Sequence, residues 1–142
     1  MLVADRRELE TSVRQRALQI QKEELQVFLG NMQVLGTQSA FLAGLGWGAL
    51  TLDYEPDGQF IEVGLYLSGT LAVGTHVLCA FVCAFTTIYA PALAVRGPDG
   101  SMGVALTGMY DERKLCLRLF GCGLVFILSH GIFVAVLCSS VP

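Results

Sequence analysis

Charge is scarce along most of this chain, and the scarcity is organised. Asp, Glu, Lys and Arg make up 15% of its 142 residues, against roughly 25% in soluble globular domains. None occurs between Glu24 and Asp53, between Glu62 and Arg96, or after Arg118. Chargeless runs of that length argue against an ordinary soluble domain. No CxxC, HExxH, GxSxG or Walker glycine pattern occurs, so no enzyme is expected. The net charge of −3 gives no reason to expect nucleic acid as a partner. The first apolar run is too short for a signal peptide, with charges starting at Asp5, and the acids Asp5, Glu8 and Glu10 argue against a transit peptide. Five cysteines, Cys79, Cys83, Cys116, Cys122 and Cys138, are an odd number set in or beside apolar stretches. They read as buried thiols rather than as a secreted disulfide scaffold.

What is present is apolar length. A membrane-spanning helix needs about 20 mostly apolar residues, and three runs supply it, with spans expected at about 34–53, 63–93 and 115–139. None alternates polar and apolar residues with a period of two, so helices rather than barrel strands are expected. The fold class expected is therefore all-α integral membrane, a multi-pass chain in a lipid bilayer with three transmembrane helices.

Residues 1–24 differ. Five acidic and five basic residues intermingle there, with Arg6–Glu10 and Glu10–Arg14 spaced for pairing along a helix. No Pro or Gly interrupts Asp5 to Leu29. The expectation is an amphipathic helical arm running unbroken into the first span, with residues 25–142 forming the transmembrane domain. Lys and Arg favour the cytosolic side. Five lie in the arm and three in the 96–114 connection, while the 53–62 connection has four acids and no base. The arm is thus expected in the cytosol and the 53–62 loop outside. Pro56-Asp57-Gly58 and Pro98-Asp99-Gly100 signal turns, Asp111 reads as a cap for the third helix, and Pro91 as a kink or helix end.

Several residues are candidates for function. Gly36, Ala40, Gly44 and Gly48 are spaced by four, as close helix packing in lipid requires. His76 and His130 are intramembrane polar residues, costly and therefore of interest. His76, Cys79 and Cys83 share one helix face, a poor tetrahedral set by itself; His130 from the third helix is a candidate to complete it, or to ligate a haem together with His76. Asp53 and Glu55, with Asp57 and Glu62, form an acidic mouth suited to concentrating cations if several subunits place them round one axis.

Four stretches carry a family resemblance. Ser39-Ala40-Phe41-Leu42-Ala43-Gly44, Thr86 to Val95 around Pro91, Asp111-Glu112-Arg113 and Val134-Ala135-Val136-Leu137-Cys138 resemble segments of the first three helices of the Orai family of calcium-release-activated calcium channels. The resemblance implies a cation channel subunit with calcium as the permeant ion and no cofactor. It also implies a homo-oligomer, a hexamer with first helices round the pore, placed in the plasma membrane and opened by a calcium-sensor protein of the endoplasmic reticulum. By the same alignment Leu45 and Gly48 fall at the family's hydrophobic gate, and Leu52 falls at its selectivity glutamate with Asp53 next. The family's fourth helix has no counterpart in these residues. A non-conducting accessory subunit of a membrane complex and a haem- or metal-binding protein using His76 and His130 are the alternatives.

Overall fold

The structure, a computed structural model, describes residues 2–52, 58–96 and 101–140. Asp53, Glu55 and the residues of both expected turns other than Gly58 and its successors lie outside the described residues. The described residues form three helices: α1 (Leu2–Leu50), α2 (Gln59–Arg96) and α3 (Ser101–Ser140).

The sequence explains α1 directly. It runs unbroken for 49 residues, about 73 Å at 1.5 Å per residue, because nothing between Asp5 and Leu29 breaks a helix and the later glycines are tolerated singly. Arg6 Nε lies 3.9 Å from Glu10 Oε1, both exposed, a pair that contributes little to stability. Gly58 opens α2 at φ 148°, a backbone region that side chains rarely adopt, and its carbonyl accepts the Glu62 N–H at 3.2 Å.

Two expectations are corrected here. α3 begins at Ser101, so Asp111 lies inside the helix and does not cap it. Helix-compatible residues fill 101–110, and Gly103 and Gly108 do not suffice to break them. Of the kink or helix end expected at Pro91, the helix end is ruled out, since α2 continues to Arg96.

The helices are antiparallel in sequence order. Gly36 meets Cys83, Gly46 meets Val73, and Leu50 meets Gly69, which pairs α1 with α2. Gly64 meets Phe133 and Gly123 meets His76, which pairs α2 with α3. α1 and α3 touch only over a short stretch, where the Phe28 and Tyr110 rings meet edge to face at 6.2 Å.

Small and polar side chains share the interior with Leu25, Phe28, Met32, Leu65 and Met109, and many large apolar ones face outward. Cys79, Cys83, Cys116, Ser39, Ser68, Thr86, Ala43, Ala72 and both histidines are buried, while Cys122, Cys138, Phe41, Leu78, Ile88, Leu128 and Ile132 are exposed. Outward hydroxyls satisfy themselves along their own helix. Thr70 Oγ1 donates to Tyr66 O at 2.6 Å, Thr75 to Leu71 O at 2.8 Å, and Ser129 Oγ to Val125 O at 2.9 Å. Such back-bonding removes the need for water.

α2 and α3 are long and apolar enough to cross a membrane over Gln59–Ala92 and Thr107–Ser139. Their most apolar stretches are only 28% and 11% buried within the chain, unlike the core helix of a soluble domain. α1 does not reach the same standard, because Gln33, Thr37, Gln38 and Ser39 and a run of glycines dilute its apolar residues.

Candidate functional site

The α2–α3 seam stacks polar side chains in layers. At one end His130 Nδ1 lies 3.0 Å from Leu65 O. A carbonyl only accepts, so the hydrogen sits on Nδ1. Two helical turns along, His76 is fully buried. Its ring meets Phe120 edge to face at 5.5 Å and 78°, and Nε2 lies over the Gly123 backbone, where an added Cβ would come within 2.6 Å. Neither ring nitrogen of His76 reaches a hydrogen-bond partner of good geometry. Ser39 Oγ is buried without a partner as well; the α1–α2 pairing puts it level with Ala80.

The next layer holds sulfur. Cys79, Cys83 and Cys116 are buried, and their sulfurs all lie within 4.8 Å of one another. Cys79 Sγ donates to Cys116 O at 3.4 Å. Gly36 of α1 closes the layer from the other side, so tightly that a Cβ there would sit 2.9 Å from Cys83 Cβ. Below it Thr86 Oγ1 donates to Glu112 Oε2 at 2.6 Å. Thr86→Val removes that bond while keeping the volume. It is expected to cost about 1 kcal/mol, read as a lower denaturation midpoint in detergent, and an unchanged midpoint would show the bond to be incidental.

No family model, curated protein or solved structure matches the chain. Geometry alone therefore bears on each residue singled out by sequence. His76 and His130 both face the α2–α3 seam, but they sit at separate levels. His76 is opposite Gly123, seven residues before His130, which is about 10 Å along a helix. The structure does not bring them together on one haem or metal. The cysteine layer adds Cys116 to Cys79 and Cys83 and leaves His76 outside. Sequence reasoning missed Cys116 because its proximity depends on the α2–α3 register, which no single-helix spacing reveals. Cys122 and Cys138 are exposed thiols.

The row of small residues in α1 divides. Gly36 packs on α2, whereas Ala40 is exposed and Gly44 and Gly48 have open space where a side chain would be. Together with Gln33, Thr37 and Thr51 they form a stripe, each residue three or four after the last, that is exposed throughout. Leu45 is exposed on the adjoining arc.

Proposed function

We infer that this protein is an integral membrane protein whose α1 helices gather in a homo-oligomer and line a cation pathway, as its resemblance to Orai channels implies. The observation that carries this reading is the uncovered stripe on α1. Gln33, Thr37, Ala40, Gly44, Gly48 and Thr51 are small or polar and are left exposed by α2 and α3. Facing lipid, the side-chain amide of Gln33 and the hydroxyls of Thr37 and Thr51 bring no benefit, and the glycines leave backbone uncovered. Facing the same stripe on other copies, they allow close approach and a polar lining. The bulky apolar exteriors of α2 and α3 suit lipid, so those helices form the outer ring. The lower apolarity of α1 then follows from its place inside the assembly.

Asp53 and Glu55 come three and five residues after the end of α1 in sequence, on a connection without a positive charge. In this reading they attract cations to the outer mouth, with Leu45 and Gly48 nearer the constriction. The outward placement of apolar side chains supports membrane residence, and the Lys and Arg bias supports an N-terminus in the cytosol.

The test is chain number and ion flux in liposomes of the purified full chain. A symmetric oligomer passing cations is expected. Asp53→Ala is expected to cut the preference for divalent over monovalent cations by tenfold or more, read from reversal potentials. A monomer in nanodiscs sinks the reading, and an oligomer without flux assigns the stripe to packing alone, as in an accessory subunit. Unchanged selectivity in Asp53→Ala removes that residue from the pathway.

A further inference from the structure

We propose that Cys79, Cys83 and Cys116 form a binding site for a soft monovalent cation, copper(I), independent of the ion pathway. Three sulfurs converge from two helices in one buried layer, all within 4.8 Å of one another. At a metal–sulfur distance of about 2.3 Å, three sulfurs round one ion lie roughly 4 Å apart. Less than about an ångström of side-chain rotation separates the present arrangement from a ligating one, and thiol χ1 rotation supplies movement of that size.

The donor set selects the ion. Thiolates prefer copper(I), zinc and iron–sulfur clusters. A structural zinc site takes four protein ligands, and among the described residues the set of His, Cys, Asp and Glu donors that converges here has three members, all cysteines. His76, the nearest imidazole in the sequence, has its ring wedged between Phe120 and Gly123. Copper(I) accepts three sulfurs in a plane, with no preference for a fourth. The layer belongs to a buried apolar cluster that extends along the seam through Met32, Phe28 and Leu25 of α1 and Met109 of α3, surroundings that hold water and oxidant away from a bound ion.

The balance of protons and charge is feasible at this depth. Copper enters already reduced, and no redox step is involved. Each sulfur that ligates as thiolate releases one proton; with two released and the third sulfur bound as thiol, the site carries one negative charge. Lys114 and Arg118 stand two residues to either side of Cys116 and so face away from the sulfurs on the outer side of α3; keeping the third sulfur protonated is what holds the buried charge to one. Glu112, hydrogen-bonded to Thr86 one turn away, gives an arriving cation and departing protons a carboxylate at the entrance.

The test uses the full chain, purified in detergent under reductant without oxygen, loaded with copper(I) and washed with a copper(I) chelator. One copper per chain is expected to remain, and X-ray absorption on the wild-type protein is expected to show sulfur as its only near neighbour. Cys116→Ser is expected to lower affinity by more than about a hundredfold, while the Cys122→Ser, Cys138→Ser double variant retains wild-type binding. Loss of all copper to the chelator overturns the proposal. So does copper bound by nitrogen or oxygen, copper lost with the exposed cysteines, or zinc retained where copper is refused. The X-ray result on unaltered protein stands even if Cys116→Ser fails to fold.

Discussion

Gly123→Ala is expected to destabilise the protein by about 2 kcal/mol, although alanine is the better helix former. In an exposed helix interior the exchange gains up to about 1 kcal/mol. At position 123 the new Cβ would stand 2.6, 2.8 and 2.9 Å from Nε2, Cε1 and Cδ2 of His76. That is contact across a ring face rather than with the far end of a flexible chain. His76 is fully buried and held on its other side by Phe120, so the ring has nowhere to swing and the helices must separate. Overpacking of this kind typically costs 1–3 kcal/mol, and here it also undoes close approach between helices, which supplies their packing energy in lipid. Gly121→Ala, on the same helix with nothing within 4 Å, supplies the control and is expected to be neutral or slightly stabilising. The two variants should differ by about 3 kcal/mol in denaturant titrations of the detergent-solubilised chain followed by helicity. Adding His76→Ala to Gly123→Ala should restore most of the loss, the signature of direct coupling. A Gly123→Ala protein as stable as Gly121→Ala would mean that His76 does not sit over Gly123.

The same contact shows what the sequence made legible. The continuity of α1 could be read from the missing breakers before Leu29. The three-helix architecture could be read from the three uncharged runs. Both are local properties of the chain. The start of α3 was not readable, because Asp111 looks like a cap only if the preceding decade is loop, and the mildly apolar, glycine-containing residues 101–110 fit either state. Pro91 similarly breaks a helix in isolation but is carried within α2. At the candidate site, the interest of His76 was visible as an imidazole in an apolar run, but its partner Gly123 was not. That pairing is set by the register of α2 on α3, which depends on side-chain fit across two helices. The convergence of Cys116 on Cys79 and Cys83 has the same origin. The four-residue spacing of Gly36, Ala40, Gly44 and Gly48 marked a face of α1 and could not say what covers it. Since the helix turns about 100° per residue, a spacing of exactly four drifts steadily round the axis. Gly36 therefore reaches α2, while Gly44 and Gly48 turn away from it.

That drift makes Gly44→Leu the most informative substitution for function. A Cβ at position 44 meets nothing within 4 Å, so the fold of the single chain has no reason to object. Helicity and denaturation midpoint are expected to hold, with a gain of up to about 1 kcal/mol from helix propensity. The consequence should appear only in the assembly. In a ring of α1 helices each copy brings the same position towards the axis, so a single leucine becomes a collar of apolar bulk where backbone and hydroxyl groups stood. Such a collar gates by dewetting as well as by steric closure. Cation flux in liposomes is expected to fall more than tenfold, with or without a change in oligomer size on gel filtration. Leu128→Phe on α3, at a position 69% exposed on the outer face, should leave both flux and assembly as they were. If Gly44→Leu leaves them equally untouched, the stripe faces lipid rather than other copies, and the pathway cannot run along α1.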